Sequence, residues 1–285
     1  MAADFARPFV PERVTQLYHA AAYALLGEEQ RLRYNQLYAA HINEQFAYFE
    51  RSIGNPISAS LLRVLQRSGQ AELAVRVAGM MEDEERHRRM FDGFNRSVFP
   101  DFYAGTAHRF IRPSPLARLA GGVVARFAAR LPFTVWVALF FEEFSVYLSR
   151  TLLSEAEGGA ALEPSFVGLH RRHLEDEERH VRLYPELIRA VVTGLSPRRR
   201  RLQGALLKRV MRELLAPKRS GVAVVRQLAS EFPALRRHEP ALVAAVRGLK
   251  DSPAFFNDLF GPSRLPVMHA MFREFPEFSW RGYHD

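Results

Sequence analysis

Apolar residues recur along this chain at helical spacing, and no stretch alternates apolar with polar for long enough to predict a strand. From Glu28, the positions Leu32, Tyr34, Leu37, Tyr38, Ile42, Phe46, Phe49 and Ile53 mark one face of a long helix. Gly54-Asn55-Pro56 should kink or break it, because proline lacks an N–H and its ring clashes with the preceding turn. A short helical stretch over Ser58–Arg67 leads to the turn Ser68-Gly69-Gln70, and the next helix is expected from about Glu72 to Phe94. Residues 99–116 read as a connection and Leu119–Ala129 as a modest helix.

Pro132 opens the most apolar helix of the chain, which is apolar all round through Leu148 apart from Glu142 and Glu143 in its middle. Such a helix belongs in the interior. Two carboxylates there are costly unless something partners them. Gly158-Gly159 turns the chain, and Pro164 opens a helix that ends near Gly194. Before Glu28 lies an irregular arm with one helix around Arg13–Tyr18, ended by Gly27. From residue 200 several shorter helices are expected, broken at Pro217, Pro233, Pro240, Pro253 and Pro262. The fold class is all-α. An N-terminal arm (1–29) precedes a helical bundle (30–195), and a helical extension (196–285) packs on that bundle.

Composition narrows the chemistry. The chain has 285 residues and no cysteine, which excludes disulfides, thiolate nucleophiles, iron–sulfur clusters and zinc-thiolate sites. Asp, Glu and His remain as metal ligands, a set suited to iron, manganese or zinc. The first residues lack a basic stretch followed by an apolar one, so no secretory signal is expected. The longest apolar run, Leu131–Phe141, is 11 residues, too short to span a bilayer. A cytoplasmic protein is the expectation. The net charge of +9 lies wholly in residues 196–285, which hold 17 Lys/Arg against 8 Asp/Glu and begin with the run Arg198-Arg199-Arg200-Arg201. A solvated basic face is the expectation, with an acidic partner such as a carrier protein or a membrane surface as the alternatives. Without an interleaved aromatic platform, nucleic acid is not expected.

One phrase occurs twice: Glu82-Asp83-Glu84-Glu85-Arg86-His87 and Glu175-Asp176-Glu177-Glu178-Arg179-His180. Each contains Glu-x-x-His, which sets a carboxylate and an imidazole one turn apart on one helical face. A single copy fits a solvated, salt-bridged helix equally well. Two copies, each opposite a glutamate of the preceding helix, do not. Glu50 lies 19 residues before Gly69 and Glu84 15 after it; Glu142 lies 17 before Gly159 and Glu177 18 after it. Paired antiparallel about those turns, the four helices present one Glu from each of two and Glu-x-x-His from each of the others, the ligand plan of a di-iron carboxylate bundle.

Glu44 competes with Glu50, and Glu143 with Glu142. Small neighbours Ala138, Ser145 and Ser149 leave room beside Glu142, whereas Glu143 shares a face with Tyr147 and Arg150 at the rim. His173 shares the face of Glu177 and His180, where the first half has Met80, and His170 is assigned a supporting or surface role. The remaining histidines, His19, His41, His108, His238, His269 and His284, have no partner spacing and read as structural or exposed. Asp83 and Asp176 are placed to accept the second N–H of a metal-bound histidine on the neighbouring helix.

The run His173…Glu177…His180, with Glu84, His87, Glu50 and Glu142, resembles the p-aminobenzoate N-oxygenase (AurF-type) di-iron oxygenases over about residues 30–190. The resemblance implies a ferritin-like four-helix bundle with additional N- and C-terminal helices and a third histidine at His173. It also implies two iron ions that activate dioxygen to oxidise a small organic substrate, by N-oxygenation of an amine or by hydroxylation. A manganese–iron pair would suit the same ligands. No flavin or nicotinamide fingerprint is present, so electrons come from an external reductase. Two alternatives stay open: a desaturase or hydroxylase acting on a chain tethered to acyl carrier protein, and a non-catalytic ferritin-like iron protein. A homodimer is also left open.

Overall fold

The computed structural model describes residues 3–215 and 219–280, and among them every regular element is helical. Four long helices form the centre: α1 (Glu28–Phe49), with its continuation α2 (Asn55–Arg67), then α3 (Ala71–Val98), α6 (Phe133–Glu157) and α7 (Pro164–Val192). Between α3 and α6 lie α4 (Pro100–Tyr103) and α5 (Pro115–Arg126). The C-terminal part comprises α8 (Pro197–Leu215), α9 (Ser220–Glu231), α10 (Glu239–Gly248), α11 (Pro253–Phe260) and α12 (Pro266–Glu274). The bundle is all-α, with α1 against α3, α6 along α7, and α3 against α7.

Both hairpins close in the same way. Gly69 and Gly159 are the glycines with positive φ, at 73° and 95°, a conformation that side chains with a Cβ avoid. Around them Gln70 N–H donates to Leu65 O and Ala160 N–H to Glu155 O, each at 3.0 Å. These bonds across five residues terminate α2 and α6 in Schellman fashion.

The break expected at Gly54-Asn55-Pro56 does not occur. The backbone stays right-handed through Gly54 and Asn55, and residues Glu50–Gly54 form a π-turn in which Asn55 N–H donates to Glu50 O. The wider turn absorbs one extra residue, so Pro56 falls in the first turn of α2, where its missing N–H costs little.

The N-terminal arm also departs from expectation. In place of one α-helix it has three 3₁₀ turns, Glu12–Val14, Leu17–His19 and Ala21–Leu25. Amide side chains of α1 hold it. Asn35 Oδ1 accepts from Phe9 N–H at 2.8 Å and Val10 N–H at 3.2 Å, while Asn35 Nδ2 donates to Val10 O at 2.6 Å. At the other end, α8 begins at Pro197 rather than near residue 200. Pro233, Pro240 and Pro253 each fall in the first turn of a helix, Pro262 follows α11, and the break expected at Pro217 lies outside the described residues.

Two apolar cores result. One joins α2, α3, the first half of α6 and the last half of α7 to α8, α11 and α12, with Trp136 stacked between Phe272 and Phe278 at centroid distances of 5.3 and 4.8 Å. The other joins the arm, α1, the end of α6 and the start of α7 to α9 and α10. The arm and the C-terminal helices thus share their cores with the bundle. Between the two cores runs a polar layer.

Asn35→Ala leaves two buried N–H groups and one carbonyl without partners and is expected to lower stability by about 3 kcal/mol. Chemical denaturation of the purified protein reads this directly.

Candidate metal centre

The polar layer gathers seven side chains from all four helices. Glu50 comes from the start of the π-turn, Glu84 and His87 from α3, Glu142 from α6, and His173, Glu177 and His180 from α7. Each is at most 3% exposed. Glu177 Oε1 sits at the middle, 3.2 Å from His87 Nδ1, 3.3 Å from His173 Nε2 and 3.3 Å from His180 Nδ1. His180 Nδ1 also lies 3.1 Å from Glu84 Oε1 and 3.6 Å from Glu142 Oε2, and His173 Nε2 lies 3.7 Å from Glu50 Oε1. Ligand atoms of Glu84, His87, Glu177 and His180 fall within 4.8 Å of one another, and so do those of Glu50, His87 and His173.

These seven residues fit a pair of metal ions on a physical test. Glu50 Oε2, Glu84 Oε1, His87 Nδ1, Glu142 Oε2, His173 Nδ1, Glu177 Oε1 and His180 Nδ1 are all buried without a hydrogen-bond partner. Buried polar atoms are satisfied as a rule, and seven orphans in one cluster of ligand-type side chains call for cations. Two divalent ions would balance four carboxylates while the imidazoles stay neutral.

The electrostatics of these side chains point the same way. Burial, then the charges of Glu84 and Glu177, push the carboxyls of Glu50 and Glu142 well above the usual range. Burial works against the His180 imidazolium, but the carboxylates of Glu142, Glu177 and Glu84 outweigh it and raise its pKa. Burial would likewise raise Glu177, yet the three imidazoles around it hold it well below the carboxylate range. Protons therefore stand where cations would, and metal binding must release them.

A ring of charges encloses the cluster. His87 Nε2 lies 2.9 Å from Asp176 Oδ2, and His180 Nε2 lies 3.2 Å from Asp83 Oδ2, each histidine reaching the aspartate of the other phrase. An imidazole that gives its Nε2–H to an aspartate would, once Nδ1 is deprotonated, present the Nδ1 lone pair to a metal at the centre. Arg86 joins Asp83 and Asp176 at 2.7 and 2.5 Å, and Arg179 joins the same pair at 3.2 and 2.6 Å. Burial would raise the Asp176 carboxyl, but His87, Arg86 and Arg179 together pull it below its usual value.

Four residues with roles here, Tyr184, Ser145, Arg86 and Arg179, were not singled out as polar partners by the spacing. Tyr184 Oη donates to Glu142 Oε1 at 2.9 Å; it lies one turn beyond His180, so the same-face rule already pointed to it. Ser145, expected only to leave room, donates to Glu177 Oε2 at 2.8 Å. Arg86 and Arg179 were part of the repeated phrase itself.

The competing glutamates are engaged elsewhere. Glu44 accepts from Tyr103 Oη at 2.7 Å and from the N–H groups of Arg109, Phe110 and Ile111 at 2.6 to 2.9 Å, so it caps the connection after α4. Glu143 is buried, not at the rim; it caps α12 by accepting from Val267 N–H at 2.6 Å and Met268 N–H at 2.7 Å. Burial, offset in part by those two donors, pushes its carboxyl up to about 7. His170 is buried rather than superficial, with Nδ1 3.2 Å from Ser149 Oγ and its ring among Phe46, Phe91 and Phe166. His41 is also fully buried, away from the cluster, and His284 lies outside the described residues.

Glu177→Ala is expected to remove most ferrous-ion affinity, and Asp176→Asn to weaken it about 10- to 100-fold. Anaerobic calorimetric titration measures both. Ferrous iron at about 100 times its Kd should stabilise the unaltered protein by about 2.7 kcal/mol and leave the Glu177→Ala melting temperature unchanged.

A family model described as P-aminobenzoate N-oxygenase AurF matches residues 1–247. The match takes in the N-terminal arm and α8 to α10, well beyond the 30–190 over which the motifs alone resemble that family. No curated protein matches the chain significantly. The protein belongs to the AurF p-aminobenzoate N-oxygenase family.

Proposed function

We propose that the protein is a di-iron oxygenase that uses dioxygen to oxidise the nitrogen of a small aromatic amine. One observation carries the reading: seven buried ligand-type side chains from four helices gather in one polar layer, each with a buried atom that lacks a hydrogen-bond partner. Membership of the family supports the reaction class. We assign Glu50, Glu84, His87, Glu142, His173, Glu177 and His180 to the metals, and Asp83 and Asp176 to the orientation of His180 and His87. When bound, the iron pair supplies the redox chemistry of dioxygen, with electrons from an external donor.

The chain's own residues position, shield and hold. Ser145 and Tyr184 each occupy one oxygen of Glu177 and Glu142, which leaves the other oxygen of each carboxylate aimed at the centre. The two apolar cores keep water from both ends of the site. Phe46, Phe49 and Phe141 line the small cavity beside Glu50, Glu84 and Glu142, a space of about 10 Å³. That holds no more than a water molecule. A substrate therefore enters by displacing a side chain, and Phe141 is the half-buried member of the lining. Its ring stacks on Phe49 with centroids 4.3 Å apart, so a flat aromatic amine can take its place against the same face.

The test is anaerobic loading with ferrous iron, metal analysis, and one turnover with dioxygen and an aryl amine followed by mass spectrometry. About two irons per chain and an oxygenated amine are expected. Iron uptake and dioxygen consumption with no organic product would replace the reading with an iron-handling role; manganese retained at one position would replace the iron pair. Phe141→Ala should shift the ratio of kcat/KM for a bulky over a small aryl amine by about tenfold, measured with paired substrates.

A further inference from the structure

The strongest unassigned feature is the face made by α2 and α5. Residues 51–71 and 102–141 contain no Asp or Glu, yet they carry Arg51, Arg63, Arg67, Arg109, Arg112, Arg118, Arg126 and Arg130. Arg63, Arg67, Arg126 and Arg130 surround a cleft of about 370 Å³ together with Ser60, Val64, Phe127 and Ala129. All four are exposed, and among the described residues none of them pairs with a carboxylate. Arginines elsewhere on the surface do pair, as Arg76 does with Glu186 and Arg189 with Glu274.

The centre of this face is apolar. Leu119 is 66% and Val123 50% exposed on α5, and Phe127, one residue past its end, is 43% exposed; spacings of four set the three in a row. Val64 of α2, 42% exposed, continues the stripe. A soluble surface scatters such residues singly; a row of them rimmed by one sign of charge marks a contact.

We propose that the α2/α5 face docks on an anionic membrane surface, with α5 lying in the headgroup layer. Two demands must be met at once. Unpaired guanidinium groups need anionic oxygens, and the solvated row Leu119, Val123, Phe127 needs an apolar boundary. Phosphates of a nucleic acid would meet the first and leave the second in water. An anionic lipid headgroup layer meets both, and an apolar row on one helix with arginines to either side is the pattern of an interfacial helix. Among the described residues no helix is long and apolar enough to cross a membrane, so the contact is peripheral. Because α5 packs on the π-turn that begins at Glu50, the docked face also lies next to the polar layer of the bundle.

The test is co-sedimentation of the full-length chain with vesicles of phosphatidylcholine alone and of equal parts phosphatidylcholine and phosphatidylglycerol. Binding to the anionic vesicles only is expected. The combined variant Arg63→Gln, Arg67→Gln, Arg126→Gln, Arg130→Gln should weaken partitioning by about tenfold or more. Leu119→Ser with Val123→Ser should weaken it several-fold. The control Arg198→Gln with Arg201→Gln, on α8, should bind as the unaltered chain does. Every altered residue is exposed, and circular dichroism verifies that each variant is folded. No binding to anionic vesicles overturns the proposal, as does an equal loss in the α8 control or full binding by the Leu119/Val123 variant. Binding to soluble polyglutamate without binding to vesicles would also overturn it and assign the face to an acidic protein.

Discussion

Four carboxylates and three imidazoles buried between two apolar cores are the constraint to which the rest of this protein answers. Groups of this kind cannot be left uncompensated in a low-dielectric interior. Here fixed hydrogen bonds from Ser145 and Tyr184 compensate them at the sides and the aspartate–arginine ring does so outside, and the cations we propose would complete the balance at the centre. Long helices suit the task because they present ligands at intervals of one turn with every backbone group already bonded internally. The cores at either end then hold the four helices at the spacing the ligands need.

Most charged positions of the repeated phrase have a distinct use. In each copy the Glu and His separated by three residues face inward, while the Asp before that Glu and the Arg before that His reach the neighbouring helix. Asp176 serves His87 and Asp83 serves His180, so each half of the bundle completes the site of the other. The two arginines close the ring by joining both aspartates. This crosswise arrangement explains why the phrase recurs with its Asp and Arg and not only with its ligands.

Adjacent or nearby glutamates divide their work by direction. Glu142 turns to the centre while Glu143, one residue on and about 100° around the helix, turns to the N-terminus of α12 and anchors the C-terminal helices. Glu44, which competed with Glu50, instead gathers three backbone N–H groups of the connection after α4. The π-turn at Glu50–Gly54 lets one helix carry both the buried Glu50 and a proline without ending. Glu44, Glu142 and Glu143 are each matched to donors on another element.

The sequence by itself determined the helical class, the two hairpins and the face on which Glu84, His87, Glu177 and His180 stand. Those follow from local rules: apolar period, glycine at turns, and the one-turn spacing of Glu-x-x-His. The antiparallel distances from Gly69 and Gly159 also brought Glu50 and Glu142 into view. Tertiary structure decided what depends on partners distant in sequence. Glu44 and Glu142 or Glu143 could be told apart only by which donors reached them, and those donors are 65 residues and 124 residues away. The continuity of α1 into α2 was hidden because a proline rule applies to α-geometry, and the π-turn lies outside it. The arm likewise depends on α1: Asn35 and Gln36 bond the backbone of Phe5, Phe9 and Val10 ahead of the 3₁₀ turns, and Leu17 N–H within them donates to Tyr34 Oη at 3.1 Å. Local periodicity specifies which face a side chain occupies; only the packed neighbours specify what that face meets.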